Sequence, residues 1–332
     1  MLPHRPRILP SVVALVAAAV VAAGCGSSSD SANTAPPPQP KPTAQVSDFP
    51  SGRGKTLAEL QQTGAEGPIL APAVSLMQRG RNRYGFALFD TARKQIAGAQ
   101  VAIYTARMDG TGVRGPFVAR SESLAVKPQF ESRTTAADPD AAKSVYVADV
   151  TFPRNGKHAV MALVRLDGRM LHTGAQGAIV GAAGPQPPGP GQKAVKVKTL
   201  TLSDVGGDAS KLSTRTPPAE DLLRTNLADV VGKQPVIITF ATPLLCQSRV
   251  CGPVVDIVEQ VRATAPKNVA FIHQEIYDDN RVDNGVRPQV AAWHLQSEPW
   301  TFVIDRSGRI STRFEGPFSV GELERAVAKV EH

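Results

Sequence analysis

Cys246 and Cys251, five positions apart in a chain of 332 residues, are the side chains whose type and spacing best suit chemistry. A thiolate attacks disulfide sulfur where a thiol does not, so the question is what would lower a cysteine pKa here. Cys251 precedes Gly252-Pro253, and Val254, Ile257, Val258 and Val261 recur at i, i+3, i+4 and i+7. That spacing predicts a helix opening near Pro253, with unpaired amides and the positive dipole end beside Cys251. Arg249 is close enough in sequence to add positive charge. Cys251 is therefore the expected attacking thiol, and Cys246, in the preceding loop with Gln247 and Ser248, the expected resolving partner. A structural disulfide that merely staples the loop is the competing reading.

The elements around this pair follow from pattern. Val236–Phe240 is a continuous apolar run suited to a buried central strand. Residues 221–230 read as a short helix, 269–276 as a strand, 288–294 as a short helix, 300–305 as a strand. Ser307-Gly308 turns the chain into another strand at 309–314. Ser319 and Glu322 form a capping box opening a last helix, with Leu323, Ala326, Val327 and Val330 facing inward. Strand, cysteine turn, helix, strand, helix, hairpin and helix in that order resemble the thioredoxin fold over residues 218–332. Cys251-Gly252-Pro253-Val254 is similar to the thioredoxin cysteine turn, with Val254 in place of its second cysteine. Residues 297–308, from Ser297-Glu298-Pro299 to Ser307-Gly308, resemble the segment of TlpA/ResA-type envelope thioredoxins that carries their cis-proline. The resemblance implies a cis Pro299 beside the sulfurs, with the Glu298 backbone free to pair with an extended substrate. It implies a thiol–disulfide oxidoreductase acting on extracytoplasmic protein thiols and disulfides, without a bound cofactor. The chain departs from the family in its Cys-x4-Cys spacing. The acidic residue that thioredoxins bury on the preceding strand is also missing, since Val236–Phe240 offers only Thr239.

The N-terminal half has a different period. Tyr84, Phe86 and Leu88 alternate with smaller or polar residues, as do Tyr146, Ala148, Val150 and Phe152. With further strands at 101–105 and 158–166 and an Asp167-Gly168 hairpin turn, residues 67–182 are expected to form an all-β sandwich. Its layout is similar to the immunoglobulin-like sandwiches of the YtkA-like kind. A Pro/Gly-rich linker is expected at 183–217, with an edge strand at 195–202. The fold class is thus two-domain, an all-β sandwich followed by an α/β thioredoxin-like domain.

Cys25, the third cysteine, closes a short basic start and an apolar run too short for a comfortable membrane span. Ala22-Ala23-Gly24-Cys25 resembles the lipobox of bacterial lipoproteins. The resemblance implies a signal peptide over 1–24, lipidation of Cys25, a disordered tether over 25–66 and an extracytoplasmic, membrane-anchored location. The net charge of +8 is scattered, which excludes a nucleic-acid-binding stripe and suits a surface resting on anionic envelope material.

Copper handling of the Sco type is a further reading, since soft thiolates suit Cu(I). Its candidate histidines are His273 and His294. Met161, Met170 and His172 are expected to share one face of the hairpin and to pack there. Trp293 and Trp300 belong to the expected core, and His158 and His332 to the solvated surface.

Overall fold

The alternating N-terminal half folds as nine strands in a computed structural model that describes residues 44–331 except Ala182. The expected signal peptide, Cys25, the tether up to residue 43 and His332 lie outside the described residues. Preceding the strands, helix α1 (Leu57–Gln61) is capped by Thr56, which exchanges hydrogen bonds with Glu59. The strands are β1 (Ala65–Glu66), β2 (Ile69–Pro72), β3 (Gly80–Phe89), β4 (Gln100–Ala106), β5 (Arg114–Ser123), β6 (Ser144–Phe152), β7 (Gly156–Leu166), β8 (Arg169–His172) and β9 (Gln176–Val180). A short helix α2 (Arg133–Ala136) interrupts the β5–β6 connection.

All nine strands belong to one hydrogen-bonded sheet, in the order β1-β8-β7-β4-β5-β6-β3-β2 with β9 also on β7. The two separate sheets that the expected sandwich calls for are not found among the described residues. Ala119 of β5 pairs with Val101 on one side and Ala148 on the other, so the ladder continues from one half to the other through β5. Asp167 and Gly168, at φ 49° and 74°, make the tight β7–β8 turn that a two-residue hairpin requires. Tyr84, Phe86, Val101, Tyr146, Val150 and Val164 fill one face of the sheet.

The opposite face of β4 and β7, with Ala102, Tyr104, Met161 and Leu163, is covered by Phe49, Leu57 and Leu60. Residues 44–66 are therefore packed structure and not tether. A segment poor in apolar residues on average still places a few where one exposed face of a sheet needs them, and the Tyr104 hydroxyl donates to Pro50 O at 2.6 Å. Met161, Met170 and His172 do share a face by register, and Met161 and Met170 serve packing. His158 is buried, with Nε2 2.9 Å from Arg154 O and its ring edge on Phe152, so the solvated reading is corrected.

The C-terminal part has helix α3 (Leu227–Val230), strand β10 (Val236–Phe240), helix α4 (Cys251–Thr264), strand β11 (Ala270–Gln274), helix α5 (Pro288–Ala292), strands β12 (Trp300–Ile304) and β13 (Ile310–Glu315), and helix α6 (Val320–Val327). Its sheet runs β11-β10-β12-β13, with β10 parallel to β11 and antiparallel to β12. That order and polarity make it a thioredoxin-like domain. Both faces of the sheet are covered, which is why β10 and β12 are buried at every position. Ile237, Phe271 and Val303 face α4 and α6, while Ile238, Ile272 and Phe302 face Val290, Trp293 and Trp300.

Two expected segments differ. In place of one helix over 221–230 stand a 3-10 turn at Glu220–Leu223 and α3, which Asn226 caps separately. Residues 183–217 are built into the domain. Gly191, Gln192 and Ala194 bond the backbone at Gly308 and Ile310 beside β13, and Val195 and Val197 pack on the core without forming the expected edge strand.

Candidate functional site

The parallel β10 ends at Phe240 and delivers the chain to a ten-residue loop, after which α4 starts at Cys251. Val250 occupies the N-cap and supplies no side-chain cap, so the first amides of α4 are available to another acceptor. Arg249, at φ 58°, bends the loop back and returns its own amide to Cys246 O at 3.3 Å. This brings Cys246 over the helix start, where its sulfur meets the Val250 and Cys251 amides and the Ser248 hydroxyl, the latter at 3.3 Å.

Both cysteines are free thiols, 3% and 0% exposed for Cys246 and Cys251. The Cys251 thiol donates to Cys246, and with the hydroxyl and amides this outweighs burial and brings the Cys246 pKa down to about 6. Burial pushes the Cys251 thiol up, reinforced by its bond and proximity to Cys246 and by the charge of Glu298. The lowered pKa thus belongs to Cys246, whereas the position of the helix start predicts it at Cys251. Cys251 does sit at the helix start, but its side chain enters the core. The sulfur that receives the helix amides belongs to the loop residue. The Arg249 guanidinium pairs at 3.3 Å with Asp138 of the β5–β6 connection.

The Glu298–Pro299 peptide is cis and lies immediately before β12. Glu298 does more than present backbone. One of its carboxylate oxygens and both sulfurs lie within 4.8 Å of one another. Its Oε2 is buried without a hydrogen-bond partner, and burial, then the charges of Cys246 and Glu275, push its pKa up to about 8. Glu298 thus brings an acidic group to the sulfurs, where β10 offers none. Its one sequence signal was an acidic residue directly before the proline already placed beside the cysteines.

The site opens into a cleft of about 360 Å³ lined by Gln247, Ser248, Tyr277, Val286, Leu295 and Glu298. The copper histidines are elsewhere. His273 is buried with Nε2 2.9 Å from Ala241 O and held neutral by burial, and His294, at φ 54°, ends α5. Neither joins the group of metal-capable side chains at the sulfurs.

No family model and no curated protein matches the chain. Among solved structures, a thioredoxin-like superfamily protein matches at 18% identity, covering 32% of this chain and 85% of its own, with a TM-score of 0.25. A thiol:disulfide interchange protein of the thioredoxin family from Chlorobium tepidum TLS matches at 19% identity, covering 46% of this chain and 100% of its own, with a TM-score of 0.28. The strand order and polarity of the C-terminal sheet are those of a thioredoxin-like domain.

Proposed function

We propose that the protein is an extracytoplasmic thiol–disulfide oxidoreductase, anchored to the membrane by lipid on Cys25, that exchanges electrons with protein thiols and disulfides. The observation that carries the reading is the Cys246 sulfur held at the open amides of α4, with the Cys251 thiol and the Glu298 carboxyl beside it. In the reducing direction, the Cys246 thiolate attacks one sulfur of a substrate disulfide. The S–S bond breaks, a mixed disulfide forms on Cys246, and the other substrate sulfur leaves as thiolate and takes a proton from water. Cys251 then gives up its proton to water and attacks the Cys246 sulfur. The second substrate thiolate departs, and the protein is left with a Cys246–Cys251 disulfide. Oxidation of a substrate dithiol is the same sequence reversed. The test is trapping. A Cys251→Ser variant is expected to accumulate a mixed disulfide through Cys246, and Cys246→Ser to accumulate none. Equal trapping by both variants would sink the assignment.

The structural-disulfide reading is favoured by one observation, the near-complete burial of both cysteines. It expects that neither variant traps a partner and that both lower the melting temperature, in which case the thioredoxin fold is an inert scaffold.

The anchor is tested separately. Among the described residues no helix is long and apolar enough to cross a membrane. With lipid on Cys25 as the attachment, a Cys25→Ser variant is expected in the soluble fraction. Retention equal to that of the unaltered protein would refute the lipid anchor.

A further inference from the structure

We propose that the reduced site is also a binding site for a divalent cation of the zinc class, held by Cys246 Sγ, Cys251 Sγ and a carboxylate oxygen of Glu298. These three donor atoms lie within 4.8 Å of one another and come from three separate places in the fold: the loop after β10, the first turn of α4 and the second residue before β12. Zinc–sulfur bonds of about 2.3 Å in a tetrahedron require sulfurs about 3.8 Å apart, so the set closes on an ion by small side-chain adjustments. Glu298 Oε2 is buried and has no hydrogen-bond partner, so this carboxyl has an unused acceptor.

The donor set also selects the ion. Two thiolates alone suit Cu(I), but a hard oxygen as third donor favours a borderline dication over a soft monocation. Three protein ligands leave a fourth position open, and the cleft lined by Ser248, Tyr277 and Glu298 provides both the way in and room for a water there. Uptake displaces the protons held on Cys251 and Glu298 to solvent, and the bound ion occupies both sulfurs. A metal-loaded site therefore cannot undergo disulfide exchange, and a site oxidised to the disulfide cannot take the metal.

Co(II) serves as the probe, added anaerobically to the reduced protein. The expected result is one equivalent bound, with thiolate-to-Co(II) charge-transfer absorption in the near ultraviolet and four-coordinate d–d bands, both abolished by Zn(II). The unaltered protein oxidised to its disulfide is expected to show neither band, and Glu298→Gln to bind Co(II) about tenfold more weakly or worse. Absence of charge-transfer absorption in the reduced protein, or Co(II) affinity unchanged by Glu298→Gln, would overturn the site. The result is independent of exchange activity. A protein that exchanges disulfides but binds no Co(II) refutes the metal site alone, and one that binds Co(II) but exchanges nothing refutes the oxidoreductase reading alone.

Discussion

At Cys246 a sulfur is surrounded by donors: the Cys251 thiol, the Ser248 hydroxyl and two backbone amides at the start of α4. Each favours the thiolate, and their sum brings the pKa down to about 6 against the cost of burial. In metal-free buffer, alkylation of the reduced protein by a small reagent is expected to modify Cys246 first, its rate halving near pH 6. Cys251 is expected to react only where the protein unfolds. Peptide mapping of the alkylated cysteines across pH checks this, and identical profiles for the two thiols would refute it. Glu298 supplies the second prediction at this scale. Its folded pKa of about 8 lies above the ordinary 4.5, so the folded protein keeps a proton that the unfolded chain gives up. Glu298 therefore costs no stability below pH 4.5, costs progressively more up to about pH 8, and its cost is constant above that. Glu298→Gln, which resembles the protonated acid, is expected to raise the melting temperature of the reduced, chelator-treated protein by roughly 3 °C or more at pH 8. At pH 4 the change is expected to vanish. A shift independent of pH would show that the carboxyl ionises normally.

At the scale of elements, α4 does two things at once. Its first turn serves the sulfurs, and its middle is held by a buried ion pair. Arg215 donates from Nε to Asp256 Oδ1 at 2.8 Å and from Nη2 to Phe130 O at 2.8 Å, and Asp256 Oδ2 accepts from the amide and hydroxyl of Ser132 at 3.2 Å. One carboxylate thus ties α4 to residues 130–132 of the β5–β6 connection and to Arg215, both partners being almost wholly buried. Close packing continues at the helix start, where a Cβ on Gly252 would stand 2.7 Å from Thr135 Oγ1 of α2. Asp256→Ala removes one of the two carboxylates that pair with the buried Arg215 guanidinium, Glu259 at 2.6 Å being the other, so it is expected to cost about 1.5–3 kcal/mol. The measurement is the denaturant midpoint, which should fall at unchanged slope. A loss below about 1 kcal/mol would mean that water reaches Arg215.

Across the whole molecule, the all-β and thioredoxin-like parts share side chains instead of meeting through a flexible joint. Leu124, Val145 and Val147 lie in the same apolar cluster as Cys246, Cys251 and Phe314. Arg83 holds Glu322 of α6 with two bonds of 2.9 and 2.8 Å, and Arg120 adds another at 2.8 Å. Glu315 of β13 accepts from the Ser75 amide, the Ser75 hydroxyl and the Leu76 amide at 2.6–2.9 Å. Lys41–His332 forms one unit. Both tryptophans, Trp293 and Trp300, sit in the thioredoxin-like part, so their fluorescence reports that part while far-ultraviolet circular dichroism reports both sheets. The two signals are expected to give the same unfolding midpoint. Separate midpoints would restore the picture of independent domains joined at 183–217.

The long periodic stretches of the sequence by themselves determined the element types: the alternating strands at 80–89 and 144–152, the α4 stripe from Val254 to Val261, the capping box at Ser319 and Glu322. Local spacing is enough there, because one face must be buried whatever covers it. The cysteine pair and Pro299 were legible for the same reason, as residue types tied to a strand order. What covers each face was not legible. Residues 44–66 carry few apolar side chains, and only the exposed underside of β4 and β7 shows why Phe49, Leu57 and Leu60 suffice to order them. Which cysteine has the lowered pKa was not legible in the sequence. A helix start favours a thiolate, but which sulfur meets the amides depends on how the loop at Arg249 bends and which thiol enters the core. Glu298 is the sharpest case. It is 47 residues from Cys251 in sequence, and only the pairing of β12 with β10 brings its carboxyl to the sulfurs, where burial and neighbouring charge give it the properties of an acid that sequence position cannot reveal.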